Sequence, residues 1–202
     1  MNTQTAVHPK LHHYGLTTAN LAALVDWYRK ALGMTANHQS AAHGEPQQRG
    51  PFSGMAFLSN DEADHRLVIF EVPGLTANPD KQRYPGLQHV AFECGTMDEL
   101  LGTYIRLKGL GIVPVWAADH GVGISFYYQD PDQNVVEINV NNYGNPWTAT
   151  EHIRTAPLTR SPVDPDRMVE ARKAGASPWE LHERALAGDF APANPSRPGP
   201  RL

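Results

Sequence analysis

The sequence repeats itself at half its length, and that repeat narrows the fold more than any other feature. His13-Tyr14-Gly15-Leu16-Thr17 is echoed by His89-Val90-Ala91-Phe92-Glu93. Fifteen residues after each histidine comes a tyrosine, Tyr28 and Tyr104, within a helix-like stretch. Each stretch runs into a Leu-Gly pair, Leu32-Gly33 and Leu110-Gly111. A duplicated unit with a histidine at matching places can set two imidazoles against each other across a pseudo-twofold axis. A metal site can be built that way from two distant segments.

The hydrophobic pattern gives each copy the same order of elements. Residues 11–17 read as a strand, and 19–32 as a helix with Leu21, Leu24, Val25, Tyr28 and Leu32 at helical spacing. A weak strand and polar loop follow over 33–50. Strands at 55–58 and 67–72 flank the acidic turn Asn60-Asp61-Glu62-Ala63-Asp64. Residues 75–85 are a polar linker. The second copy runs as a strand over 87–93, a helix over 97–109, and strands near 113–118, 123–129 and 135–141. Asp130-Pro131-Asp132-Gln133-Asn134 supplies the last turn.

The predicted fold is therefore α+β. Paired β-α-β-β-β modules, about 11–74 and 86–141, form a curved mixed sheet around a metal cleft within a single domain over 11–141. An N-terminal arm spans 1–10. From 142 to 202 the chain is proline-rich and partly helical, with Ser177-Pro178-Trp179-Glu180 reading as a helix start closed by a capping box. That extension is expected to wrap the core or to form an oligomer interface.

Bulk properties remove several classes of function. A formal charge of -4 without a basic stripe argues against a nucleic-acid partner. No apolar run approaches a membrane span. The opening Met1-Asn2-Thr3-Gln4-Thr5 lacks a basic region followed by an apolar stretch, and Cys94 is the sole cysteine. A cytoplasmic protein fits these observations. Cys94 itself reads as a small buried residue with no role.

Ten histidines make metal binding worth tracing. Strand neighbours point to opposite faces, so His12 and His13 are not expected to share a cleft, and the repeat selects His13 to pair with His89. Glu93 is four residues from His89, roughly 13 Å along a strand, too far to share an ion. Glu137 is the better carboxylate. It sits between Val135-Val136 and Ile138, where an unpaired charge would be costly to bury and a cation would relieve the cost. Two imidazoles and one carboxylate with open positions match the facial triad of non-haem Fe(II) oxygenases.

These residues resemble the vicinal oxygen chelate superfamily, the glyoxalase, bleomycin-resistance and extradiol dioxygenase group built from paired β-α-β-β-β modules. Within it the chain is most similar to one-module type I extradiol ring-cleaving dioxygenases. The segment from His120 through Tyr127, Asp130-Pro131 and Glu137 resembles their signature of His, spacer, apolar residue and Tyr, Asp-Pro and metal-binding Glu. Ala118 and Gln133 depart from it, the latter replacing the usual Gly or Pro of the turn. The stretch from Phe57 to Phe70 resembles the family strand carrying an active-site histidine. The interval from His65 to His89 is longer than in the larger relatives.

The resemblance implies Fe(II) held by His13, His89 and Glu137, with Mn(II) an alternative for the same donors. It implies a catechol-type diol and dioxygen as reactants, and extradiol (meta) ring cleavage as the reaction. His65, His120 and Tyr127 would be the catalytic residues. Phe57, Trp116 and Tyr143 are candidate pocket walls. Trp147 and Trp179 in the extension suggest a homo-oligomer. A non-redox metal-dependent lyase, isomerase or thiol transferase of the same superfamily is the alternative, and a metal-free binding protein the third. The substrate's ring substituents are left open.

Overall fold

The computed structural model describes residues 8–40 and 51–194. Part of the expected arm (1–7), part of the loop after the first helix (41–50) and the last prolines of the extension (195–202) lie outside the described residues. The chain divides into two compact units, Met1–Ala77 and Asn78–Leu202.

In the first unit, β1 (Tyr14–Thr18), α1 (Leu21–Leu32), β2 (Thr35–Gln39), β3 (Gly54–Ser59) and β4 (Leu67–Glu71) make a four-stranded sheet of order β1-β4-β3-β2. The β1–β4 pair is parallel and the others antiparallel. Asn20 caps α1 by accepting from the Ala23 amide, and Gly33 ends it at φ 65°. The helix buries Leu21, Leu24, Val25 and Tyr28, while the strands bury Ala56, Leu58, Leu67 and Ile69. Glu71 Oε1 also accepts from the Leu21 amide at 3.0 Å, tying β4 to the helix start.

The second unit repeats the plan with β5 (Val90–Cys94), α2 (Met97–Gly109), β6 (Trp116–Asp119), β7 (Gly123–Gln129) and β8 (Val135–Asn141). Thr96 and Glu99 form a capping box at the start of α2. Gly111, at φ 76°, follows its end as Gly33 follows α1, so the repeated Leu-Gly pair marks two helix stops. The architecture is thus two mixed sheets, one per module, rather than one continuous sheet.

The extension is more regular than a proline-rich, partly helical tail. It contributes α3 (Pro146–Thr155), β9 (Ser161–Pro162), α4 (Pro165–Lys173) and α5 (Pro178–Leu186). Each helix has proline in its first turn, where the missing N–H costs nothing. The two-residue β9 pairs with β6, so the second sheet runs β5-β8-β7-β6-β9. Asp166 of α4 accepts from the Tyr104 hydroxyl at 2.8 Å and pairs with Lys108, while Arg172 grips Asp98 through two nitrogens. Among the described residues no helix is long and apolar enough to cross a membrane.

Candidate active site

Alternation along β7 and β8 sorts the second sheet into a packing face and a chemical face. Phe126, Tyr128, Val136 and Ile138 take one face, where Phe126 meets Tyr104 of α2 edge-on at 5.7 Å. Ser125, Tyr127, Glu137 and Asn139 take the other. Trp116, Tyr127 and Glu137 are register partners across β6, β7 and β8, and so form one row. Tyr127 is stacked on Trp116, ring centres 5.0 Å apart, and stands 5.6 Å from the ring of His89.

His89 lies one residue before β5, not within a strand as the pattern suggested. Its Nε2 is 2.8 Å from Oε2 of Glu137, and its Nδ1 faces Oε1 of Gln88. Oε1 of Glu137 accepts from the Ser125 hydroxyl at 2.6 Å and the Asn139 amide at 3.1 Å. Burial pushes the Glu137 carboxyl upward, but hydrogen bonds from His89 and Ser125, with help from Asn139, outweigh it and hold the pKa below the usual range. A buried carboxylate held beside an imidazole offers the oxygen and nitrogen donors that a divalent cation would take.

His120 sits in the turn between β6 and β7. Its Nδ1 is 3.2 Å from the Thr159 carbonyl and its Nε2 is 3.0 Å from the Tyr127 hydroxyl. A carbonyl only accepts, so Nδ1 carries the proton and Nε2 receives the Tyr127 O–H. Burial, then the nearby Glu137 charge, pushes the Tyr127 phenol up to about 12. Tyr127 is therefore a neutral donor near neutral pH.

The first unit gathers His12, His13 and His65, each with a ligand nitrogen within 4.8 Å of the others. The expected separation of His12 from His13 does not hold. Both histidines precede β1, which starts at Tyr14, so strand alternation does not separate them. Their Nδ1 atoms approach to 2.9 Å. His65 is likewise outside β4. Asp64 joins the cluster by pairing with His12 Nε2 at 3.1 Å and His65 Nδ1 at 2.7 Å. The His65 hydrogen bond is the main reason the Asp64 carboxyl lies below its usual pKa.

The remaining wall candidates divide. Phe57 on β3 meets the His65 ring edge-on at 5.0 Å. Trp116 lies in the Tyr127 row. Tyr143 instead packs within the extension, its hydroxyl 2.7 Å from His152 Nδ1 and its ring 5.7 Å from Trp179. Sequence reasoning missed His12, Ser125, Asn139 and Thr159. Ser125 was within reach, since alternation places it on the Tyr127 face; Thr159 carries no linear signal, because a backbone carbonyl is the group used.

The profile of the Glyoxalase/Bleomycin resistance protein/Dioxygenase superfamily matches residues 10–138, more than half of the chain. The chain belongs to that superfamily. Within the superfamily it is 34% identical over 185 residues to Biphenyl-2,3-diol 1,2-dioxygenase 3 of Rhodococcus globerulus, covering 90% of this chain and 91% of that protein. It is 30% identical over 192 residues to Biphenyl-2,3-diol 1,2-dioxygenase 2 of the same organism, covering 93% and 94%. By homology the chain is thus related to extradiol-type dioxygenases. The fold is shared with a glyoxylase/bleomycin resistance protein/dioxygenase domain from Frankia sp. EAN1pec, at TM-score 0.56 and 20% identity over 67% of this chain and 99% of that one. The kinship and the three-histidine cluster together support a metal-dependent superfamily enzyme.

Proposed function

We propose that this superfamily member is an extradiol dioxygenase. It would cleave a catechol-type diol with dioxygen, beside the two hydroxyls, at a mononuclear Fe(II) held by His13, His89 and Glu137. The observation that carries the reading is the hydrogen-bonded pair of His120 and Tyr127 on the sheet face that also bears the His89–Glu137 pair. A bare cation-binding site would not need that dyad. The repeat selects His13 as the third ligand, and the names of the Rhodococcus relatives favour ring cleavage over a non-redox reaction.

Bound ferrous iron would acidify the diol and link its oxidation to dioxygen reduction. The protein's part is orientation and proton handling. Tyr127 donates to a diol oxygen once it turns from His120. His120 Nε2 has a free lone pair when that happens and can take the proton of the second hydroxyl. His65, with Nδ1 committed to Asp64, keeps Nε2 to hold or deliver a proton. Trp116, stacked on Tyr127, and Phe57, against His65, would each supply an apolar surface for the ring. Both dioxygen atoms enter the ring-opened product.

Biphenyl-2,3-diol is the first substrate to test, being the diol in the relatives' names. Oxygen uptake by Fe(II)-loaded protein across a catechol panel, with appearance of a yellow ring-opened product, is the expected result. No uptake with any catechol, despite one bound ferrous ion per chain, overturns the reading. A cytoplasmic homo-oligomer is part of the same proposal, and Trp147, 86% exposed, is the residue we place at a subunit contact. If ligation instead runs through His12, His13 and His65, His12→Ala abolishes iron binding and His89→Ala does not.

A further inference from the structure

Asp119 and His182 form a fully buried pair that the reaction above does not use. Asp119 ends β6 at 0% exposure, and His182 on α5 is 4% exposed. His182 Nδ1 is 2.7 Å from Asp119 Oδ2. The second carboxylate oxygen, Oδ1, accepts from the Gly121 amide at 2.7 Å. Asn142, whose amide nitrogen lies 2.8 Å from the same Nδ1, donates to the Gly121 carbonyl at 3.0 Å. Both neighbours of His120 are therefore tied to one network.

The extension holds this turn from other sides too. The Thr159 carbonyl accepts the His120 Nδ1–H, and the Thr159 hydroxyl donates to the Asp119 carbonyl at 3.3 Å. Gly121 has φ +81°, and a Cβ there would stand 2.6 Å from His152 Nε2 of α3. A side chain is excluded, and the turn packs tightly under α3. A buried polar pair of this kind is a weak stabiliser, and apolar residues could fill the same volume with less desolvation. What the pair adds is direction: one carboxylate aligned by α5 fixes the Gly121 amide and with it the turn.

We propose that His182 is a positioning residue for His120. Through Asp119 it sets the turn at which His120 Nδ1 meets the Thr159 carbonyl. That commits His120 to the neutral tautomer protonated on Nδ1, leaving Nε2 as the proton acceptor. The proposal rests on the catalytic role given to His120 above, but its structural half can be read without turnover.

The test compares His182→Leu, His182→Asn and Asp119→Asn with the unaltered full chain. Asparagine places an amide N–H close to the position of imidazole Nδ1, so His182→Asn should rescue. Asp119→Asn keeps an acceptor for the Gly121 amide while removing the charge, and covers the case in which His182→Leu does not fold. Long-range nitrogen–proton NMR of the His120 ring in metal-free protein reads the tautomer. The unaltered chain and His182→Asn should show one neutral form protonated on Nδ1. His182→Leu and Asp119→Asn should show a mixture. With Fe(II) and the best catechol, kcat should fall about tenfold to a hundredfold in those two, with KM within about twofold. An unchanged His120 tautomer in both variants overturns the proposal. Tautomer loss in a chain that cleaves no catechol would leave the positioning role standing and sink only the assigned reaction.

Discussion

His89 Nε2 and Glu137 Oε2 stand 2.8 Å apart, joining the residue just before β5 to the middle of β8. β5 and β8 are parallel neighbours in which Ala91 is the register partner of Glu137. Sheet register thus fixes Glu137 beside the start of β5, and His89 enters from the residue just ahead of that strand. In the proposed centre, His89→Ala or Glu137→Gln should lower iron content from near one per chain to under about a tenth, as loss of a direct ligand does. Metal analysis after reconstitution and desalting checks this.

Ser125 acts one step further out. Its hydroxyl is 2.6 Å from Glu137 Oε1, orienting the carboxylate. Ser125→Ala should fold normally and bind a divalent ion roughly tenfold to a hundredfold more weakly, the usual effect of losing such a supporting hydrogen bond. Competition titration against a chelator of known affinity measures it. Affinity equal to that of the unaltered chain would remove Ser125 from the site.

Gln133 is the one non-glycine residue with positive φ among those described, at 63°. It completes the turn that Asp130 organises by accepting from the Asp132 and Asn134 amides. Left-handed backbone costs a non-glycine residue about 1–2 kcal/mol, partly offset by the greater unfolded freedom of glycine. Gln133→Gly should therefore raise stability by about 0.5–1 kcal/mol, visible as a higher denaturation midpoint at unchanged slope.

Asp166 and Asp98 fasten α4 to α2, and both carboxyls lie below their usual pKa. For Asp166 the leading cause is the Lys108 hydrogen bond; for Asp98 it is Arg172. A carboxyl lowered by folding stabilises above its unfolded pKa, and that contribution disappears as pH falls through the folded value. Both groups are largely exposed, so the effect should be modest and shrink with salt. Thermal melts from pH 6 to pH 3 should lose part of their acid slope in an Asp98→Asn, Asp166→Asn double variant. An identical slope in the two proteins would contradict the assignment.

Cys94 on β5 should be a poor nucleophile. Burial first, then Glu99 and Glu93, pushes its thiol up to about 11. Little thiolate exists near pH 8, and higher intrinsic nucleophilicity recovers only part of the loss. Disulfide-exchange reagents should label native protein roughly tenfold or more slowly than unfolded protein. Equal rates would show the thiol to be open.

The sequence carried the repeat and the strand–helix order because these depend on local periodicity. The matching tyrosines, Tyr28 and Tyr104, are both buried. Alternation along β7 is enough to place Ser125 on the Tyr127 face, but its bond to Glu137 needed the folded chain. It failed at His12 and His13, because the strand begins at Tyr14, three residues later than the pattern suggested, and pleating constrains only residues inside a strand.

By itself the chain determined two β-α-β-β-β modules, the Leu-Gly helix stops, and a carboxylate at position 137 in need of a positive partner. Those follow from spacing and from the cost of burying charge. Only the folded protein decided that His89 answers Glu137, that the Thr159 carbonyl selects the His120 tautomer, and that His182 reaches Asp119 across 63 positions of sequence. Such contacts depend on backbone direction and helix docking, which residue order does not spell out locally.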